Sequence, residues 1–364
     1  MSRYAMIMAG GAGTRLWPMS RRGPRGHGLP KQLLPLIDGK SLIELAAERI
    51  EGLVPPRHRY ICASEAHRAA ILKALHNYGE DQYLGEPEGR DTLNAIGLTA
   101  AVLAKRDPKA IFAVLTADHI IEPQDEFAAC IDLGFRLVEN DPKRLVTFAI
   151  KPTHATKAFG YVTRGKALSG FEGGYVATSF VEKPEPPEAQ KLIDQGAGWN
   201  SGMFVFAAKT FVQALEWFKP ANHRGLMTIA DAWDTPHRRA VLHEIYPTLE
   251  KISVDYAVMM PVAKDDRLIV CAVPMDVTWL DVGSWPSYAK TLPADAQSNR
   301  TNCQMVHLKS KGVLAVSDDP KHTIATIGCE DLIIVHTRDA TLVCRADRAE
   351  DVKKIAGMAD PSVQ

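Results

Sequence analysis

Directly after the apolar run Tyr4–Ala9 stands Gly10-Gly11-Ala12-Gly13-Thr14-Arg15-Leu16-Trp17-Pro18. Glycines in such a turn let backbone N–H groups approach a polyphosphate closely, and Arg15 adds a forked charge suited to phosphate oxygens. The spacing is not that of a P-loop, because no Gly-Lys-Ser/Thr follows. It is not G-x-G-x-x-G either, because Leu16 stands where the third glycine is required. On the glycines alone, a turn that merely ends a strand is the simpler account. Arg15 and the basic segment that follows, Arg21-Arg22-Gly23-Pro24-Arg25-Gly26-His27-Gly28-Leu29-Pro30-Lys31-Gln32, favour an anion site. Open α/β sheets bind ligands beyond the carboxyl ends of their strands, so a Gly/Arg/Lys loop here is placed to close over a triphosphate.

Two carboxylates stand at the ends of apolar stretches: Asp118 after Ile111–Ala117, and Asp281 after Val277–Leu280. A buried carboxylate needs a cation or a donor. Together the two suit Mg²⁺, which takes few carboxylates and completes its shell with phosphate oxygens and water. Either alone could equally be a helix N-cap or a turn residue. Lys183, between Glu182 and Pro184 at a strand end, reads alone as half of a surface ion pair. His27, His119 and the cysteines show no triad or metal-ligand spacing. Trp17, Trp199, Trp279 and Trp285 read as packing residues.

The elements that must position these groups alternate. Tyr4–Ala9, Arg59–Ala63, Gln82–Glu86 and Ile111–Ala117 read as strands. Glu65–Asn77, Thr92–Lys105 and Glu126–Glu139 read as helices, and Ser41 with Glu44 forms a capping box before another. Such alternation marks a parallel α/β sheet covered on both faces. Beyond about residue 150 the pattern loosens. Val162–Arg164 and Tyr175–Glu182 read as an antiparallel pair, helical periods return near 188–195, 209–218, 224–234 and 253–260, and Leu268–Val273 reads as a strand. From about 295 short strand-like runs crowd together before a helical tail, Ala349–Met358. The expected division is residues 1–292 and a small β-rich appendage, 293–364, whose exposed edges make it a candidate dimer element.

The chain has 364 residues, with 43 Lys plus Arg against 43 Asp plus Glu. A balance of zero argues against a general nucleic-acid or membrane-surface binder and leaves room for a local anion site. The six cysteines include no C-x-x-C pair and are expected to be buried free thiols. No apolar run reaches the length of a membrane span, and the first is too short for a signal region, so a cytoplasmic place is expected.

The glycine motif followed by Pro30-Lys31-Gln32-Leu33-Leu34-Pro35-Leu36 resembles the signature of nucleotide-sugar pyrophosphorylases, in the form typical of mannose-1-phosphate guanylyltransferases. Further matches come in family order: Glu86-Pro-Glu-Gly-Arg90-Asp91-Thr92, Leu115-Thr-Ala-Asp118-His119, Phe159-Gly160-Tyr161 and Phe180-Val-Glu182-Lys183-Pro184. Trp199-Asn200-Ser201-Gly202, Ser253-Val-Asp255-Tyr256 and Trp279-Leu-Asp281-Val-Gly283-Ser284-Trp285 complete the series, and Ile327-Gly-Cys-Glu-Asp-Leu332 looks like the family's β-helical tail. The departures are a few extra Arg/Gly residues before Pro30, Thr116 and Asp91 where the family commonly has Pro and Asn, and Met260-Pro261 in place of an acidic and basic pair.

The resemblance implies a Rossmann-like, GT-A-like nucleotidyltransferase fold, a mixed sheet with helices on both faces, and a small left-handed β-helix-like tail. It implies the reaction GTP + α-D-mannose 1-phosphate → GDP-mannose + diphosphate, with Mg²⁺ on Asp118 and Asp281 and catalytic roles for Arg15, Lys31 and Lys183. Gly10, Gly11, Gly13, Thr14, Glu86, Asp91 and Thr92 would bind nucleotide. Gly160, Glu182, Asn200, Ser201, Gly202 and Asp255 would bind the sugar phosphate, although for Asp255 a helix cap is an equal reading. A homodimer with no nucleic-acid or membrane partner is expected. Open alternatives are another sugar 1-phosphate (heptose or glucose), another nucleoside triphosphate, or a non-catalytic regulatory paralogue. A Rossmann dehydrogenase fits poorly, since Pro30-Lys31 stands where a ribose-binding acid is needed.

Overall fold

The computed structural model describes residues 1–11, 13–20 and 29–359. Ala12, His27 and nearly all of the 21–29 loop therefore lie outside the described residues. Two compact units emerge. The first comprises Met1–Gly10, Ala46–Ala117 and Ile121–Trp279; the second comprises Gly11–Leu45, Asp118–Ile120 and Leu280–Gln364.

The first unit is built on a nine-stranded sheet, in the order Tyr83–Glu86, Arg59–Ser64, Ser2–Met8, Ala110–Thr116, Gly198–Ala207, Arg144–Ile150, Ile269–Met275, Tyr175–Glu182, Gly160–Ala167. The first four are mutually parallel. Gly198–Ala207 then runs antiparallel to both of its neighbours in that order, so the sheet is mixed and the parallel reading of the first half describes only one side of it. The expected hairpin is present, with Gly160–Ala167 antiparallel to Tyr175–Glu182.

Strand alternation divides the core. Phe112 and Val114, with Phe204 and Phe206, pack into one cluster with Leu98, Phe211 and Leu226 from the helices Asp91–Arg106, Ala208–Phe218 and Pro220–Ala232. Val205 points to the opposite face, as a period of two requires. There the helix Gln124–Asn140 packs so closely that a Cβ on its Gly134 would stand 3.0 Å from Phe148 and 3.1 Å from Val205. Helices therefore cover both faces of the sheet.

The helix expected over 65–77 is a 3₁₀ turn, Glu65–His67, followed by a shorter α-helix, Arg68–Ala74. The helical period near 253–260 is a π-turn, Asp255–Met259, running into Met260–Val262. The strands Arg144–Ile150 and Gly198–Ala207 escape the alternation pattern because both lie almost wholly buried on both faces.

In the second unit Arg300–Thr301, Leu314–Ser317 and Leu332–Thr337 pair in parallel, Ala340–Arg345 adds an antiparallel edge, and Gln304–Leu308 pairs in parallel with Thr323–Ile327. Short strands stacked in parallel at successive chain passes are the pattern of a β-helix. Leu16, Trp17, Leu34 and Leu36 share a core with Val282, Trp285, Val316, Val335 and Val352. The indole N–H of Trp285 donates to the Trp17 carbonyl at 3.0 Å, in keeping with the packing role expected of both.

All six cysteines are free thiols. Cys62, Cys130 and Cys271 are buried as expected, but Cys303, Cys329 and Cys344 are only half-buried. They sit in or beside the short strands of the β-rich segment, whose interior is filled instead by Val313, Ala315, Val316 and Val335. No helix among the described residues is long and apolar enough to cross a membrane.

Candidate functional site

In the second unit the glycine motif forms a turn that only glycine adopts comfortably. Gly11 and Gly13 have φ of 97° and 62°, values that penalise any Cβ. Gly13 has a second reason to be glycine, since a Cβ would stand 2.6 Å from the Cβ of Lys31. The motif is fastened by Ser20, whose hydroxyl donates to the Gly13 carbonyl at 2.7 Å, and by the 3₁₀ turn Thr14–Leu16. Arg15 is half-exposed and its Nε pairs with Glu350 at 2.9 Å.

Lys31 opens the turn Lys31–Leu33. Its ammonium lies 2.5 Å from Oδ2 of Asp118 and 3.9 Å from Oδ1 of Asp281, with only 12% of the side chain exposed. Asp118 and Asp281 are drawn together where the Val282 N–H donates to the Asp118 carbonyl. His119, which no spacing singled out, joins them: one ligand atom from each of Asp118, His119 and Asp281 lies within 4.8 Å of the others. The missed signal is adjacency, because a His beside a strand-end Asp presents its ring to the same space only after the strand turns. Burial works against ionisation of Asp118, yet Lys31 and then His119 outweigh it and hold the carboxyl below its usual range. The Asp281 carboxyl is pushed up, first by burial and then by the Asp118 charge. Two carboxylates and an imidazole at this separation fit a divalent cation.

In the first unit a second constellation gathers around the end of Gly160–Ala167. Glu182 is nearly buried and stands 3.7 Å from the Lys183 ammonium. A Cβ on Gly160 would lie 2.3 Å from Glu182 Oε2, so glycine is what admits this carboxylate. Asn200 donates to Asp255 Oδ1 at 2.9 Å while its own Oδ1 accepts from Thr147 at 2.8 Å and from the Gly202 N–H at 3.3 Å. Asp255 thus meets Asn200 at the start of the turn Asp255–Met259. Gly202 has φ of 71°, and the Ser201 hydroxyl accepts from the Met203 N–H at 3.2 Å. The Glu182 carboxyl is pushed up to about 7, by burial and then by Asp255, with Lys183 offsetting part. The Asp255 carboxyl is pushed up to about 6, chiefly by burial. Lys183 is more than half exposed, and its backbone has φ of 50°, a left-handed conformation rare for a lysine.

Glu86 ends the edge strand Tyr83–Glu86 and is buried; the Tyr246 phenol donates to it at 2.6 Å. Burial pushes its carboxyl up to about 6, with the Tyr246 hydrogen bond opposing and the Asp91 charge adding. A Cβ on Gly10 would make ordinary contact with Glu86, at 3.6 Å. Asp91 starts its helix at φ of 63° and accepts from the Thr92 N–H at 2.8 Å, while Thr92 accepts from the Val254 N–H at 2.9 Å. The structure therefore groups Arg15, Lys31, Asp118 and Asp281 with Gly11, Gly13 and Thr14 in one unit, and the remaining candidates in the other.

The chain is similar to known proteins along most of its length. A model of the family "Nucleotidyl transferase" matches residues 4–298, and one of the "MannoseP isomerase/GMP-like beta-helix domain" matches residues 304–357. A mannose-1-phosphate guanylyltransferase of Klebsiella pneumoniae is 35% identical over 354 residues, 96% of this chain and 72% of the relative. One of Escherichia coli is similar to the same extent. A crystal structure described as mannose-1-phosphate geranyltransferase from Thermus thermophilus shares the fold with a TM-score of 0.83 and 29% identity, over 98% of this chain and 99% of that one. Nucleotidyltransferases of this kind typically use a divalent metal, and the Asp118–His119–Asp281 group is of the type that holds one. With its Rossmann-like mixed sheet, its β-helix-like segment and relatives along nearly its whole length, the chain is a nucleotidyltransferase and belongs to the nucleotidyl transferase family, together with the mannose-1-phosphate guanylyltransferases.

Proposed function

We propose that the chain transfers a guanylyl group from GTP to α-D-mannose 1-phosphate, releasing diphosphate. The observation that carries this reading is the similarity along 96% of the chain to enzymes of that name. Both substrates are anions, so the barrier is largely one of bringing like charges together in line. The N–H groups around Gly10, Gly11, Gly13 and Thr14, with the guanidinium of Arg15, would cradle the triphosphate. Glu86, with Asp91 and Thr92, would accept from the base and fix the nucleoside. Glu182, Asn200 and Asp255 would take the sugar hydroxyls, with Gly160, Ser201 and Gly202 leaving room. Lys183 would bridge the sugar phosphate and the α-phosphate under attack, and Lys31 would meet the triphosphate. Asp118 and Asp281, with His119 beside them, would hold Mg²⁺, which when bound supplies charge neutralisation on the phosphates.

Functionally the chain would divide at 292/293. The β-rich segment would mediate a homodimer: Val306, Leu308 and Ile327 are exposed, and Leu308 pairs in register with Ile327, giving an apolar patch on an open ladder. A cytoplasmic place fits enzymes that use free nucleotides. The test is diphosphate release against a panel of nucleoside triphosphates and sugar 1-phosphates. Preference for GTP with mannose 1-phosphate is expected. Higher kcat/KM with a heptose or glucose 1-phosphate, or with another base, would replace this assignment with one of its neighbours.

A further inference from the structure

A cation already sits against the metal-type cluster, and it belongs to the protein. The Lys31 ammonium lies 2.5 Å from one oxygen of Asp118 and 3.9 Å from one of Asp281, the two carboxylates that face each other beside His119. Magnesium sits about 2.1 Å from its oxygens and carries two positive charges, so it and this ammonium cannot both hold that face of Asp118. The Lys31 side chain is 12% exposed and makes no shorter ion pair elsewhere among the described residues. Its backbone has little room to retreat, because it packs against Gly13 so tightly that a Cβ there would fall 2.6 Å from Lys31 Cβ and 2.9 Å from Lys31 N. What can move is the flexible end of the side chain, from the carboxylates toward an anion held by the glycine turn.

We infer that Lys31 is the resident counter-ion of the metal seat, that it and a divalent cation exclude one another there, and that a bound triphosphate loads the metal by drawing the ammonium away. This rests on the reading of Asp118 and Asp281 as metal ligands. It makes metal and nucleotide binding mutually dependent through one side chain, and by reciprocity each must strengthen the other equally. Without nucleotide, the seat is neutralised by Lys31 and binds metal weakly. Lys31 also offsets the repulsion between the two partly buried carboxylates.

The experiment measures Mn²⁺ binding by electron paramagnetic resonance of the free ion, with and without a non-hydrolysable GTP analogue. The variants are Lys31→Met, Lys31→Arg and Asp118→Asn, each checked for folding by circular dichroism. In the absence of nucleotide, Lys31→Met should bind Mn²⁺ at least about tenfold tighter than wild type, since it removes a competing charge a few ångströms away. Lys31→Arg should stay as weak as wild type. The analogue should tighten Mn²⁺ binding in wild type and do so much less in Lys31→Met. Equal Mn²⁺ affinity in wild type and Lys31→Met, both weakened by Asp118→Asn, would overturn the counter-ion role and leave the metal site standing. Mn²⁺ binding indifferent to Asp118→Asn would remove the metal site itself.

Discussion

The Tyr246 phenol donates a hydrogen bond of 2.6 Å to Glu86, and both side chains are buried. The two are far apart in sequence, and no motif joins them. The bond favours the charged form of Glu86 against a burial that pushes its carboxyl up to about 6. Tyr246→Phe should therefore leave a buried acceptor unsatisfied, costing about 1–3 kcal/mol of stability. Because Glu86 would then carry less charge near neutral pH, KM for GTP should rise more than KM for the sugar phosphate. Thermal unfolding and steady-state kinetics on both substrates check this, and an unchanged KM for GTP would remove Glu86 from nucleotide recognition.

Glu182 gives a pH signature. Its carboxyl is pushed up to about 7, from an ordinary value of 4.5, by burial and by Asp255. A folded pKa above the unfolded one means that the folded state binds the extra proton. The protein is therefore favoured below about pH 4.5, and that stability is lost as pH rises through about 7. Glu182→Gln, which removes this liability, should be more stable than wild type at pH 8 by on the order of 2–3 kcal/mol. The gain should vanish toward pH 4.5. Melting temperatures across pH test it. A constant difference at all pH values would show packing and not ionisation.

Arg15 is tied to Glu350 in an exposed pair. Such pairs contribute roughly 0–1 kcal/mol to stability. Arg15→Ala should therefore melt within a degree or two of wild type. Its kcat/KM should fall by about 3 kcal/mol of transition-state stabilisation, as expected when one preorganised charge donor is lost. Unchanged kcat/KM would make the glycine motif a structural turn only.

Lys183 tests the mechanism most directly. Unit charges about 4 Å apart repel by roughly 4 kcal/mol at an effective dielectric of about 20, and an ammonium between two phosphates removes much of that. Lys183→Ala and Lys183→Arg should both lower kcat and weaken mannose 1-phosphate binding, because the planar fork of Arg does not replace a compact ammonium. Calorimetric titration with GTP alone should change much less. Normal sugar-phosphate binding and wild-type turnover in Lys183→Ala would disprove the assignment.

Chelation of divalent metal should abolish turnover, and Mg²⁺ should restore it. Asp118→Asn and Asp281→Asn should each lose activity even at saturating Mg²⁺. Full activity in excess chelator would exclude a metal role for both.

The proposed chemistry and most of the elements that carry it can be read from residue types and their spacing. The glycine turn was legible because positive φ demands glycine at Gly11 and Gly13, and Arg15 stands in the turn itself. The strands near Arg59, Tyr83 and Ile111 were legible because a helix separates each from the next. Lys183 and the two aspartates were legible through their place in ordered motifs. Other features depend on contacts that the linear order does not announce. The strand Gly198–Ala207 inserts antiparallel at the middle of the sheet. Burial of almost every residue erases the alternation that would have announced it. His119 joins Asp118 and Asp281, Tyr246 reaches Glu86, and Asn200 holds Asp255 through contacts between distant segments. The raised carboxyls of Glu182 and Asp255 likewise arise chiefly from burial, with the Asp255 charge adding at Glu182 and the Asp91 charge at Asp255, and no such burial exists in an extended chain. Residue type sets what a side chain can do; which charges lose their water, and which partner each meets, is settled only when the chain closes on itself.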